Sequence, residues 1–230
     1  VLDWDEFRDL QLAFLRASTP DSEIPTDHAI TAVLMDQARR HRIRYIIGGS
    51  HIRTEAIMPA AWSQGIRDWR YISSVQRRFG TQSLTTFPHF SIFQFARRKL
   101  SGQRWVNILD YVDYRKSEVV PLLERELGWE PYGTKHGESV YTRFFQNYIL
   151  PTKFGYDKRR GHLASLVCAG EISRDEALAT LEQPAATAEQ NEQDRLFVAK
   201  KLGVTPDEFD EIMALPKKTM YDYPTYETAW

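Results

Sequence analysis

Apolar residues recur at helical spacing along most of the chain, starting close to its first residue. A first helix is predicted to begin after Asp3, where Asp3 and Glu6 have the spacing of a capping box and Leu10 and Phe14 continue the apolar stripe. A polar loop follows, and a second helix is predicted after Asp27, an acceptable N-cap residue. Both helices are amphipathic, so each is expected to bury one face.

Two short stretches have the more continuous apolar pattern of strands. The first is Tyr45, Ile46 and Ile47, which ends on two glycines, and the second lies within RWVNILDYV, residues 104–112. Both are expected to be buried, the second on both faces, as in a parallel sheet. The segments between and after them, GIRDWRYISSVQRRFG, HFSIFQFARRKLSG and DYRKSEVVPLLERELGW, are predicted to be helices, the last with Ser117 as N-cap.

From residue 138 onward the pattern is helical, with five helices joined by short connections and one of them ending at Pro151. The final stretch is rich in tyrosine and proline and is expected to pack over the surface. The prediction is therefore an α/β region at 1–130, a helical bundle at 131–215 and an extended tail at 216–230.

Charge and cysteine content exclude several classes of protein. Thirty Lys and Arg against 31 Asp and Glu give a formal net charge of −1, so no overall field attracts nucleic acid or an anionic membrane. The single cysteine, Cys168, excludes an internal disulfide and a Cys-cluster zinc site, and its apolar neighbours predict a buried thiol. No apolar run reaches the roughly 18 residues of a membrane span, and no signal peptide opens the sequence. A cytoplasmic protein is expected.

Positive charge is concentrated in KFGYDKRRGH, residues 153–162. Lys158, Arg159 and Arg160 fall in the first turn of a helix capped by Asp157, where the helix dipole disfavours each cation by about 0.3–1 kcal/mol. The same position suits a phosphate, which would be met by both dipole and charge, and Gly161 would allow its close approach. Phosphate binding and a solvated cationic face remain equally open interpretations.

A second candidate site follows the first strand. Gly48, Gly49, Ser50 and His51 come directly after it, and ligands of open α/β sheets gather at the carboxyl ends of strands. A plain strand-to-helix connection would have the same sequence, so two glycines alone do not decide between these alternatives.

Longer motifs carry a resemblance to a known family. The runs YGTKHGESVYTRFFQNYILPTKFGYDKRRGHLASLVCAGEISRDEAL and NILDYVDYRKSEVVPLLERELGW resemble the carboxyl-terminal portion of the N-acetyl sugar amidotransferases. This is the lipopolysaccharide-biosynthesis branch of the PP-loop ATP pyrophosphatases, and the resemblance extends from Trp4 to about Leu215. It implies that 1–130 is the second half of a parallel-sheet nucleotide-binding domain of the adenine-nucleotide alpha hydrolase-like (HUP) type.

The resemblance also implies a reaction and roles for particular residues. Such an enzyme uses ATP and Mg²⁺ to adenylate the carbonyl oxygen of an acetamido sugar, and ammonia from a separate glutaminase subunit then yields an acetamidino sugar. The nucleotide would lie near Gly48, Gly49, Ser50 and His51, and phosphate or anionic groups of the sugar near Lys153, Lys158, Arg159 and Arg160. Roles in metal binding, substrate binding or proton transfer fall to Glu55, Lys135, His136 and Glu138. No metal-ligand set is predicted.

One departure from the family is large. The Ser-Gly-Gly-x-Asp-Ser phosphate loop of these enzymes does not occur in this sequence. The chain is therefore expected to be the carboxyl-terminal part of a longer protein and to have little activity alone, with a homo-oligomer as an open option. Two alternatives remain: a PP-loop tRNA-modifying enzyme, which the near-neutral charge disfavours, and a non-catalytic binding or assembly module.

Overall fold

The computed structural model describes residues 2–130, 137 and 139–229. Within them the protein is predominantly helical with one two-stranded parallel sheet, so the α/β class predicted from the sequence is confirmed at that level. The helices are α1 Trp4–Ala17, α2 Ile24–Arg40, α3 Ile52–Glu55, α4 Trp69–Phe79, α5 Ile92–Leu100, α6 Lys116–Leu127, α7 Val140–Phe144, α8 Lys158–Cys168, α9 Arg174–Glu182, α10 Ala188–Leu202 and α11 Pro206–Ala214. The strands are β1 Tyr45–Gly48 and β2 Arg104–Asn107.

The two strands lie side by side in parallel, with Ile46 opposite Trp105 and Gly48 opposite Asn107. The predicted burial of both strands is wrong. Tyr45 is 53% exposed, Ile47 is 69% exposed and Trp105 is 49% exposed. The second strand is also shorter than expected, because Ile108–Tyr111 turns into a 3₁₀ helix. A two-stranded sheet has too little neighbouring structure to bury its apolar residues.

Two helix starts differ from the sequence prediction. Helix α2 begins at Ile24, one residue before Pro25, whose fixed φ favours the first helical turn, and Asp27 therefore lies within that turn instead of capping it. Helix α6 begins at Lys116, so Ser117 is inside it. Asp3 does cap α1, but Glu6 turns away from it and bonds to the loop at residues 85–86. Here tertiary hydrogen bonds outweigh a local motif.

The helix expected to end at Pro151 continues past it. After α7 the chain forms a π-helical segment, Phe145–Phe154, which contains Pro151 and ends at Gly155 in the left-handed conformation, with φ 76°. Proline lacks an N–H group and clashes with the carbonyl four residues before it in an α-helix. The wider π-helical turn uses the fifth residue instead, so proline fits without ending the helix.

Helix α1 connects two hydrophobic cores. Its Leu10 and Phe14 pack with α4, and its Leu15 packs with the π-helical segment, α10 and α11. The tail belongs to the first core, since Met220 and Tyr223 are buried and the Tyr223 hydroxyl donates to the Ala17 carbonyl at 2.7 Å. The tail therefore packs on the rest of the protein, with Met220 and Tyr223 as buried anchors and most of its other described residues exposed.

Two further burial predictions are wrong. Cys168 is exposed at the end of α8, although its sequence neighbours are apolar. On α5, Leu100 is 88% exposed and Ile92 is 38% exposed, although the helical pattern indicated an inward face. In both cases the apolar pattern is present but no other element covers it.

None of the described helices is both long enough and apolar enough to cross a lipid bilayer.

Candidate functional site at the carboxyl edge of the sheet

Both strands end at one edge of the sheet, because they are parallel. At the end of β1, a Cβ on Gly48 would collide with the Trp105 side chain and would lie 2.5 Å from the Asn107 amide oxygen, so only glycine fits there. Gly49 has nothing within 4 Å of the place where its Cβ would be, and Ser50 is exposed. The chain thus leaves β1 with two residues open to a ligand.

The loops after the two strands are tied together. The Ile52 N–H donates to the Asp110 carboxylate at 3.0 Å, and Arg53 pairs with Asp113 at 2.8 Å. Between them the His51 ring packs edge-on against the Tyr114 ring, with centroids 4.8 Å apart. These contacts hold the predicted nucleotide segment beside the end of β2, although neither aspartate was singled out from the sequence.

His51 has an unusual environment in this site. It is only 4% exposed, and its Nδ1 atom is shielded from solvent without a hydrogen-bond partner in the part of the chain that the structure describes. A buried polar atom without a partner destabilises the protein. Such an atom at the edge of a parallel sheet is consistent with a nucleotide that adds hydrogen bonds to this loop.

Helix α3 packs directly against α8, which carries the cationic cluster. The Ile57 N–H donates to the Ser165 hydroxyl at 3.1 Å, and a Cβ on Gly161 would lie 2.5 Å from the Ile57 carbonyl oxygen. Gly161 therefore allows two parts of the protein to approach closely, whereas the sequence interpretation assigned this role to a ligand. The contact joins the end of β1 to the beginning of α8.

Two of the four predicted phosphate ligands are bonded to the protein itself. Lys153 is buried, its Nζ donates to the Ile212 carbonyl at 2.5 Å, and burial lowers its pKa to about 8. Arg159 forms an ion pair with Asp157 at 2.7 Å and donates to the Gln183 carbonyl at 2.7 Å. Lys153 satisfies a carbonyl near the end of α11, and Arg159 joins α8 to the end of α9.

The other two cations remain available to a ligand. Arg160 is exposed and makes no ion pair within the described residues. The Lys158 ammonium lies 5.6 Å from the centroid of the Phe145 ring. Two residues before it, Tyr156 stacks on Trp62 with ring centroids 5.1 Å apart.

A group of carboxylates at the beginning of α2 faces Lys158, and the sequence analysis missed it. Asp27 stays in contact with solvent, but the protein around its carboxyl group partly buries it, and this burial, together with the charges of Asp21 and Glu23, raises its pKa to about 6. Burial likewise raises the pKa of Glu23, while the Lys158 charge opposes both shifts. No local motif marks these residues, because they meet Lys158 only through folding.

Of the remaining predicted residues, the structure describes only Glu55. Glu55 lies on α3 and is exposed, whereas Lys135, His136 and Glu138 lie outside the described residues. Across the described ranges, no group of three or more His, Cys, Asp or Glu could hold a metal ion. Mg²⁺ usually takes part of its coordination from substrate phosphates. We therefore expect any Mg²⁺ at this site to bind together with a nucleotide.

The fold and this edge define the class: an α/β protein with a helical carboxyl-terminal region and polar loops at the ends of parallel strands. A comparison with known protein families adds a match over part of the chain. Residues 138–230 match the model described as LPS biosynthesis protein WbpG-like, C-terminal domain. Over these residues the chain is similar to the carboxyl-terminal portion of a lipopolysaccharide-biosynthesis family, in agreement with the sequence resemblance. No curated protein and no solved structure matches the chain.

Proposed function

We propose that the protein acts in lipopolysaccharide biosynthesis as an ATP-dependent amidotransferase that converts an acetamido sugar to an acetamidino sugar. The acetamido oxygen attacks the α-phosphorus of ATP, and the bond to the β-phosphate oxygen breaks to release pyrophosphate. Ammonia from a separate glutaminase then attacks the activated carbon, and AMP leaves with the former carbonyl oxygen. The family match supports lipopolysaccharide biosynthesis, and the finer reaction rests on the sequence resemblance.

The observation that carries the proposal is the joining of three segments at one edge. The segment after β1, the segment after β2 and the beginning of α8 are linked by the Ile52–Asp110, Arg53–Asp113 and Ile57–Ser165 contacts. Ligands of parallel α/β sheets bind at this edge. A nucleotide here would meet the Gly49 and Ser50 backbone and lie on the side of the molecule where α3 contacts α8.

The described residues would act by positioning and charge. Lys158 and Arg160 would stabilise negative charge on the leaving pyrophosphate, which is how phosphoryl and adenylyl transfer are commonly assisted. Arg159 and Lys153 would position them indirectly, by fixing α8 and the π-helical segment. Glu55, Lys135, His136 and Glu138 keep their proposed roles in substrate binding and proton transfer.

Open surfaces on the sheet support the related proposal that residues 1–130 are half of a larger HUP-type domain. Parallel sheets normally have both faces covered, yet Ile47 on β1 and Val112 after β2 are 69% and 53% exposed. Helix α6, which follows β2, has no buried residue. Further strands and helices of the same domain would cover these positions.

The test uses the full-length gene product, ATP, an acetamido sugar and ammonium chloride as the nitrogen source. We expect AMP formation that depends on the sugar. Arg160→Ala is expected to lower kcat/KM for ATP by roughly tenfold, because one charge-assisted contact is lost. Arg174→Ala, which removes another exposed arginine on α9, is the matched control and should stay within about twofold. AMP formation that is independent of the sugar would contradict the reaction.

A second candidate function, a non-catalytic assembly module, is favoured by the same exposed apolar residues. It predicts a stable complex with a partner protein and no turnover in the assay above. If the full-length product binds a glutaminase but forms no AMP, this second function replaces the first.

A further inference from the structure

A large cavity lies on one face of the sheet, away from the beginning of α8. Its volume is about 1210 Å³, and it is bounded by α2, the sheet, α5 and the segment at 63–68, with Met220 and Tyr226 of the tail at its wall. Binding cavities for small molecules are typically a few hundred to about 1,000 Å³. The space is therefore large enough for a ligand of nucleotide or sugar-phosphate size.

The wall of the cavity is mainly apolar and includes three aromatic side chains. Met35 of α2, Ile46 of β1 and Ile66 line it together with Phe95 and Trp105. Trp105 is 49% exposed, so a large part of its surface is available. An apolar wall with aromatic rings suits the flat face of a nucleobase or a pyranose ring.

Three arginines also line the cavity: Arg67, Arg98 and Arg104. None of them forms an ion pair with another described residue, and the Arg67 guanidinium lies 4.9 Å from the centroid of the Phe95 ring. The two acidic residues in the wall already accept hydrogen bonds from other residues of the protein. Asp68 accepts the N–H groups of Tyr71 and Tyr226, and Glu227 accepts the hydroxyl of Tyr221.

Arg98 is the residue whose bonding is least complete. Its Nη1 atom is shielded from solvent and has no acceptor, and nearby Gln103 has a shielded Oε1 atom with no donor. The Asp36 charge acts on Arg98, but the Asp36 carboxylate pairs with Arg39 and Arg40. A shielded charged donor without an acceptor is costly. An anion in the cavity would remove this cost.

We propose that this cavity binds a phosphorylated ring compound, with its phosphate on Arg98 and its ring against Phe95 and Trp105. Phosphate matches the fork of a guanidinium better than other small anions do, because two oxygens can accept in parallel. Arg67 and Arg104 add charge at the same wall. The cavity shares Ser50 with the segment assigned to the nucleotide, but Arg98, Phe95 and Trp105, which carry this proposal, have no role in the proposed reaction.

The experiment is calorimetric titration of the chain with three probes: N-acetylglucosamine 1-phosphate, AMP and inorganic phosphate. We expect one of the two ring compounds to bind at least tenfold more tightly than inorganic phosphate, and the tighter one identifies the ring as sugar or nucleobase. Arg98→Gln is expected to weaken that binding roughly tenfold. Arg97→Gln is the matched control, because Arg97 is exposed and lies outside this cavity.

Two results would overturn the proposal. One is the absence of binding of all three probes at millimolar concentration. The other is equal weakening in the Arg98 and Arg97 variants. Because Arg98 is half-buried, Arg67→Gln serves as a second variant on an exposed arginine of the same wall, and thermal unfolding of each variant checks that it is folded. Unchanged binding in both cavity variants would also contradict the assignment.

Discussion

Arg159 shows how a residue with the right charge for a ligand can be used by the protein itself. Its guanidinium is shared between Asp157 and the Gln183 carbonyl, so it closes the gap between α8 and α9. Lys153 is a parallel case with the Ile212 carbonyl as its acceptor. The hydrogen-bond partner of each cation therefore shows whether its role is structural or ligand-binding. Its position in the sequence motif does not show this.

This pairing leads to a prediction for stability. Arg159→Ala should lower the free energy of unfolding by about 1–3 kcal/mol, because Asp157 and the Gln183 carbonyl lose a charged partner. Arg160→Ala should change it by less than about 0.5 kcal/mol, since Arg160 is exposed. Urea unfolding of both variants measures the difference, and equal stabilities would show that the Arg159 contacts contribute nothing.

His28 provides a pH-dependent prediction. It is fully buried. Its Nδ1–H donates a hydrogen bond to the Ile66 carbonyl at 2.6 Å, and its Nε2 accepts one from the Phe90 N–H at 3.3 Å. Burial lowers its pKa to about 4 from 6.5. As the pH falls, the unfolded chain therefore binds a proton on His28 before the folded protein does. The contribution of neutral His28 to the free energy of unfolding is complete above pH 6.5, and it declines by up to about 3 kcal/mol as the pH falls toward 4.

The measurement is an NMR titration of the imidazole, combined with urea unfolding at pH 7 and pH 4.5. His28→Gln serves as the reference, because it removes the titrating group and its stability should change less between the two pH values. An imidazole that titrates near pH 6.5 in the folded protein would contradict the burial argument.

Elements of this protein are positioned by a few close contacts. The short helix α3 lies against α8 because Gly161 leaves space for the Ile57 carbonyl and Ser165 accepts the Ile57 N–H. The π-helical segment likewise carries the chain past Pro151 to the beginning of α8. The relation between the end of β1 and the cationic helix therefore depends on backbone approach at one glycine.

Gly161→Ala should disturb this contact. A methyl group 2.5 Å from a backbone oxygen requires the two segments to separate, and we expect a loss of about 1–3 kcal/mol in the free energy of unfolding. Gly49→Ala is the matched control for stability, because nothing lies within 4 Å of its Cβ position. Chemical unfolding tests the pair, and a Gly161 variant as stable as the control would refute the close-packing role.

The molecule as a whole has an uneven distribution of apolar surface. Large apolar residues are exposed on β1, after β2, on α5 and on α6, whereas α1, α4 and the π-helical segment are well buried. Exposed apolar surface of this extent commonly marks an interface. It agrees with the proposal that more of the α/β domain covers this side.

Ile47→Thr tests that proposal without removing the strand, because threonine also favours β-structure. In this chain the substitution should change the free energy of unfolding by less than about 0.5 kcal/mol, since Ile47 is 69% exposed. In the full-length gene product we expect a loss of about 1–3 kcal/mol, because a covered Ile would be replaced by a polar residue. Equal effects in the two proteins would argue against a larger domain.

Local features of this protein were determined by the sequence alone. The capping boxes at Ser173 and Thr205 and the left-handed Gly128 and Gly203 are such features, because each depends on residues only a few positions apart. The α/β class and the helical carboxyl-terminal region follow from apolar periodicity, and the resemblance to a lipopolysaccharide-biosynthesis family follows from longer motifs.

Only the tertiary structure decided which chemical groups meet. The acceptors of Lys153 and Arg159, the carboxylates facing Lys158 and the exposure of Cys168 involve residues far apart in the chain or depend on which element covers another. Apolar spacing shows that a residue suits a buried face, but burial also requires a second surface. For β1 and β2 that surface is not among the described residues, and this is why their predicted burial failed.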